Sequence, residues 1–301
     1  MGGVLPVATR AIWDSTVAGA NTTLLGGDLT FPGIVVSNPG GLVTIDPGNT
    51  LTLGAAVVDL DLSAATQDLT VNCNLAMGAA NVWNVAASRT LTLGGAVSGT
   101  AAITKQGAGT AILSGPNTYS GATTISGGTL IAAGGSTATA LVTVGNAVEN
   151  AVLNVPTGGT MTGGTSITVG TLSGAVGAVN VTGGTLTTTT DSDSSAFGAT
   201  DGGYGAFTMS SGTFTQPRFM FGGIGGTTTG GAVGVGLISG GTATITNWLI
   251  LSRNAASTGI LTITGGTIDR STAANTLSGT PKNNNLLTIN GLRPALACLD
   301  L

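Results

Sequence analysis

The strongest constraint on this chain is that it repeats itself. Short stretches of alternating apolar residues recur, each followed by a turn containing Gly or Asn. They read LTLG from Leu51, LTVN from Leu69, LTLG again from Leu91, AILSG from Ala111 and LIAAG from Leu130. Subtracting these positions gives successive offsets of 18, 22, 20 and 19. One coil of a β-solenoid requires such a repeat, because each coil buries its apolar residues only by stacking on the next. A second series has a longer period. It runs through VNVTGGTL around Thr185, FTMSSGTF around Thr213, LISGGTA around Thr242 and LTITGGTI around Thr267. By subtraction, those threonines are 28, 29 and 25 apart. FMFGG from Phe219 and WLILS from Trp248 add a strand at equivalent places in the middle units. Gly pairs at a fixed place predict corners, where positive φ and close backbone approach exclude most side chains.

Composition agrees with this reading. Hydrophobic residues make up 42% of the chain and charged residues 7%, the opposite of a disordered segment. Its 52 glycines follow no three-residue period, which excludes a collagen-like helix. Thr, Val, Ile and Leu alternate with period two, and Gly interrupts almost every window of helical length, so helices are expected to be nearly absent. A sandwich or barrel also uses many short strands, but the near-constant period favours the solenoid. The expected fold is all-β, a right-handed single-stranded parallel β-helix of about 12–14 coils. Residues 1–48 read as an irregular opening segment with Trp13, Pro32, Pro39 and Pro47, and 49–135 as short coils. Residues 136–280 read as the longer GGT coils, and 281–301 as one more strand with an apolar tail.

The segment from Lys105 to Leu130, KQGAGTAILSGPNTYSGATTISGGTL, carries a resemblance. It resembles the autotransporter-associated β-strand repeat, also called the passenger-associated transport repeat, of bacterial β-helical surface proteins. That pattern has a K-x-G-x-G-T-L-x-L-S-G start, an N-T-Y-S-G-x-T turn and a closing G-G-T-L. Here Lys105, Gly107, Gly109, Thr110, Leu113, Ser114 and Gly115 match the start. Asn117, Thr118, Tyr119, Ser120, Gly121 and Thr123 match the turn, and Gly128 to Leu130 the close. The resemblance implies a parallel β-helix exported to the bacterial surface. A conventional autotransporter ends in a membrane barrel of strands about ten residues long. Only ten residues follow Gly291, so the expectation is an excised passenger or a member that is not an autotransporter. The start, MGGVLPVATR, lacks the basic n-region of an intact signal peptide.

Enzyme chemistry finds little to work with. There is no His, which removes Ser-His-Asp and Cys-His nucleophilic catalysis and His-based metal sites, and Glu149 is the only Glu. Polysaccharide hydrolases and lyases on β-helices need clustered carboxylates. The candidates are Asp59 with Asp61 and Asp191 with Asp193. Alternation places Asp59 and Asp61 on one solvent-facing edge, with Val58, Leu60 and Leu62 inside. Asp191, Asp193 and Asp201 lie in a loop that offers oxygen ligands for Ca²⁺, at a spacing that matches neither an EF-hand nor the nonapeptide calcium repeat. A solvated loop is the simpler reading, and neither catalytic, cofactor nor metal residues are assigned. Trp83 reads as packing on a strand. Cys73 reads as a small inward residue, and Cys298 lies in the apolar tail, so an unpaired thiol is expected. No basic cluster supports nucleic-acid binding, and no apolar run approaches the ~18 residues that span a bilayer.

Thr runs at Thr187 to Thr190, at Thr227 to Thr229 and from Thr242 suggest ice binding, but their placement changes between coils. Terminal solenoid coils expose strand edges that monomers usually cap with polar or helical segments. Both ends here are apolar and low in charge, so the expectation is head-to-tail stacking of copies into an extracellular filament or coat. The alternative is a passenger-type adhesin or stalk, with cell-surface glycans as further partners, or an ice- or glycan-binding solenoid.

Overall fold

Leu60 and Leu62 are both 0% exposed, while Asp61 between them reaches the surface. This period-two alternation is the unit from which the molecule is built. The Leu60–Leu62 strand pairs in parallel with Ile34–Val36 in the coil before and with Asn81–Val85 in the coil after. The computed structural model describes residues 9–54, 57–138, 140–191, 195–224, 231–253, 256–270 and 286–289. Within these residues the chain winds as a parallel β-solenoid of about ten turns, with no helix.

A turn presents three faces. In the first turn they are the strands Ala11–Trp13, Asn21–Thr23 and Leu29–Phe31. Their partners one turn on are Ile34–Val36, Val43–Ile45 and Thr50–Leu53. Farther along, the corners themselves become extended. Tyr204–Phe221 and Val233–Leu251 each run across all three faces in a single strand.

The expected repeat lengths hold with one exception. Leu69, Leu91, Ala111 and Leu130 are register partners on the second face, and Thr185, Thr213, Thr242 and Thr267 are partners on the third. Leu51, however, pairs with Leu75 on the third face, not with Leu69. The early coils are therefore longer than the sequence offsets imply. By subtraction, the register partners Ile34↔Leu60 are 26 apart and Leu51↔Leu75 are 24 apart. Longer coils mean fewer of them, and about ten turns are seen among the described residues against the 12–14 expected for the whole chain.

Coil length sets what fills the core. The shortest coils lie at Ile103↔Thr123↔Val142, where the partners are offset by only 20 and then 19. There the inward positions include Ala111 and Ala132 beside Leu113, Tyr119, Ile125 and Leu130. Where the offset widens to 28 at Thr168↔Ala196 and 30 at Met220↔Ile250, five phenylalanines fill the interior. Phe197, Phe207, Phe214, Phe219 and Phe221 are at most 1% exposed, with ring centroids 4.6–5.7 Å apart. Several contacts are edge-on, the geometry that favours aromatic pairs beyond their area burial. Trp83 is likewise a core residue at 0% exposure, and Cys73 is buried and free, its thiol pKa raised by desolvation. Cys298 lies outside the described residues.

One corner is built by backbone conformation. Val144, Val169, Phe197, Phe221 and Leu251 are register partners, and the residues that follow them all have positive φ. These are Gly145, Gly170, Gly198 and Gly222, with Ser252 in the fifth coil at φ 55°. A Cβ on Gly198 would come within 2.1 Å of the Val233 carbonyl oxygen.

Candidate functional site

The passenger-type segment interrupts the solenoid. On the third face, Leu29–Phe31, Thr50–Leu53, Asn74–Met77 and Val97–Ser98 pair in succession, and the next coil supplies no strand there. Pro116, which has no N–H to give a ladder, starts the irregular stretch. Asn117 then does with its side chain what a strand would do with its backbone. Its Oδ1 accepts the Val97 N–H at 2.9 Å and its Nδ2 donates to the Gly115 carbonyl at 2.9 Å. Its own N–H donates to the Gly135 carbonyl of the following coil. Tyr119, 0% exposed, occupies the core, with its hydroxyl 3.0 Å from the buried Thr123 Oγ1. The third face resumes when Gly135–Ala138 pairs with Thr160–Gly163.

Lys105, the first residue of the motif, is fully buried. It follows Ile103 by two positions on an inward-facing row. Its Nζ donates to three backbone carbonyls, those of Gly107 at 2.8 Å, Gly127 at 2.9 Å and Gln106 at 3.2 Å. An ammonium has three donors, so all are used, and they join two neighbouring coils. Desolvation pushes its pKa down to about 8, with the Glu149 carboxylate pulling it back up. Sequence reasoning matched Lys105 to a motif but did not place it inside. The available signal was its inward parity in ITKQ.

The carboxylates do not assemble. Asp59 is not on a solvent-facing edge, since it is 0% exposed, and its Oδ2 accepts the Val82 N–H at 2.8 Å. It lies just ahead of the Leu60–Leu62 strand, at a corner where alternation no longer predicts direction. Asp61 does face outward, where it lies 3.7 Å from Arg10. The two therefore diverge. Asp191 accepts hydrogen bonds from Arg218 and, at 2.6 Å, from Asn247, and these donors, Arg218 first, hold its pKa below the ordinary value. The Arg218 and Arg253 guanidiniums lie 4.3 and 5.6 Å from the Trp248 ring centroid, a cation–π arrangement at the surface. Asp193 lies outside the described residues, and Asp201 sits in a turn. Among the described residues no three His, Cys, Asp or Glu side chains gather as metal ligands.

The threonines are more regular than the sequence suggested. Thr187, Thr215 and Thr244 are register partners in one column, so the run from Thr187 and the segment from Thr242 meet on one face. Thr188 turns inward, and Thr189 and Thr190 both donate to the Gly164 carbonyl. Thr227 to Thr229 lie outside the described residues.

Fold and turn together define a parallel β-solenoid with a side-chain-stitched repeat at its middle. Residues 103–132 match the family described as Passenger-associated-transport-repeat, the stretch that holds Lys105, Asn117 and Tyr119. No curated protein and no solved structure matches the chain. The repeat and the fold support a passenger-like protein of the kind that is secreted or exposed at a surface.

Proposed function

We propose that this chain is a non-catalytic structural solenoid of the bacterial surface or matrix that stacks end to end. One observation carries the stacking. In the first described coil the core-facing residues are open, with Leu29 at 38% exposure where its register partner Leu51 in the next coil has 1%. Trp13, Leu25, Leu29, Phe31, Ile34 and Leu51 line a cavity of about 380 Å³ there. Among the described residues, the strands Ala11–Trp13, Asn21–Thr23 and Leu29–Phe31 each pair on one side only. Unpaired edges around an apolar mouth are a template for another coil. A contact between unlike ends does not close on itself and grows into a filament. The absence of catalysis is supported by the repeat family and the fold, which suggest a structural protein.

Electron microscopy of the purified full chain tests this reading. Filaments one solenoid wide are expected. Monodisperse single subunits at high concentration and neutral pH would leave the passenger-type stalk or adhesin in its place.

A further inference from the structure

The third face of the later coils carries a grid. Five successive strands present Thr160-x-Thr162, Thr185-x-Thr187, Thr213-x-Thr215, Thr242-x-Thr244 and Thr267-x-Asp269. Their register aligns two columns, Thr160↔Thr185↔Thr213↔Thr242↔Thr267 and Thr162↔Thr187↔Thr215↔Thr244. Every register shift in these strands falls outside the tripeptides. The intervening Met161, Leu186, Phe214 and Ala243 are each 0% exposed, so the threonines point outward. Among the described residues, none of these nine hydroxyls hydrogen-bonds within the protein.

β-Propensity alone puts threonine on strand exteriors. It does not account for the contrast with the second face of the same coils. There the exterior column reads Asn154, Asn180, Thr208, Leu237 and Thr262, a mixed set partly stitched by Asn180–Asn154 and Thr208–Asn180 hydrogen bonds. One exterior face is uniform and keeps its hydroxyls free among the described residues, while its neighbour is varied and satisfies part of its own. The first charge met on the grid is Asp269, at its last position.

The spacing of such a grid follows from the fold. Neighbouring strands lie ~4.8 Å apart, and residues i and i+2 on a strand ~6.6 Å apart. Threonine is stiff at χ1, and the backbone beneath is held in the parallel ladder, so little freedom is lost when the hydroxyls engage a partner. Water held on these hydroxyls, with a methyl group beside each, repeats at distances close to two of those between oxygens in hexagonal ice. We propose that this lateral face binds the surface of crystalline water. It is separate from the open first coil, so stacking and ice binding can succeed or fail independently.

The test is ice recrystallisation and crystal shaping by the full chain and three variants. Thr215→Tyr and Thr187→Lys disrupt the grid. Thr70→Tyr alters an exterior threonine on the second face of an early coil. The wild type and Thr70→Tyr should shape ice and arrest recrystallisation. Both grid variants should lose this effect while keeping the wild-type circular dichroism spectrum and melting temperature. If Thr215→Tyr misfolds, Thr187→Lys alone decides. A folded wild type with no effect on ice would overturn the proposal. So would full activity in the grid variants, or retention of the chain by this face on insoluble polysaccharide but not on ice.

Discussion

Lys105 and Gly198 show how a single position can be tied to two coils at once. The Lys105 ammonium bridges carbonyls of its own strand end and of Gly127, at the cost of desolvation. Its pKa of about 8 in the fold lies below the ordinary lysine value of 10.5. Below pH 8 the folded and unfolded chains both hold the proton, and the penalty is present in full. Between pH 8 and 10.5 only the unfolded chain holds it, so stability rises with pH, and the gain is complete above 10.5. The stability of the wild type relative to Lys105→Met should therefore rise by about 2–3 kcal/mol from pH 7 to 10.5 in denaturant titrations. A relative stability that stays flat over that range would mean the lysine is solvated. Gly198 is tied by space. Gly198→Ala meets both the positive-φ penalty and the Val233 carbonyl, and should lose about 2–4 kcal/mol. Gly158→Ala has the same sign of φ but open space around it, and should lose only about 1–2 kcal/mol. Equal losses would remove the close approach from the account. Corner glycines were legible because their type is diagnostic. Asp59 was misplaced because alternation ends where the strand does.

At the level of single strands, TLTL occurs twice, and the two copies do different things. Thr50–Leu53 lies on the third face and pairs with Asn74–Met77, while Thr90–Leu93 lies on the second and pairs with Thr110–Leu113. Local pattern gives a strand and its buried side but not its face, because faces are distinguished only by distant partners. This is why the offset from Leu51 to Leu69 misled and the later offsets did not. The passenger-type turn is the converse case. Its motif was plain in sequence, but the role of Asn117 as a stand-in for a strand needed the neighbouring coils to be in place. Asn117→Ala strands the buried Val97 N–H and should destabilise by about 2 kcal/mol, whereas Tyr119→Phe removes one hydroxyl bond and should cost about 1 kcal/mol. Thermal or urea unfolding of both variants checks the order. A Tyr119→Phe loss exceeding that of Asn117→Ala would shift the weight of the turn from the Asn117 side chain to the Tyr119–Thr123 hydroxyl contact.

As a whole, the molecule is a stack whose coils change length, and its filling changes with them. In the short coils of the passenger-type repeat Ala111 and Ala132 lie inward beside Lys105, Leu113, Tyr119 and Leu130, and five phenylalanines occupy the wide ones. The longer repeat lengths were legible because Gly followed by Thr marks the start of the same third-face strand in each coil. The aromatic filling was not, because nothing in FGATDGGYGAF or FTQPRFMF says that these strands share one interior. In the proposed end-to-end stack, the first described coil, where Leu29 is exposed and Leu51 is not, is where another copy would add. Sedimentation velocity over a concentration series, with the full chain and Leu29→Lys compared, tests that directly. The wild type should shift to progressively larger species as concentration rises, and Leu29→Lys, with a charge in the apolar mouth, should stay a single folded subunit. A wild type that sediments as one subunit at every concentration would contradict end-to-end stacking.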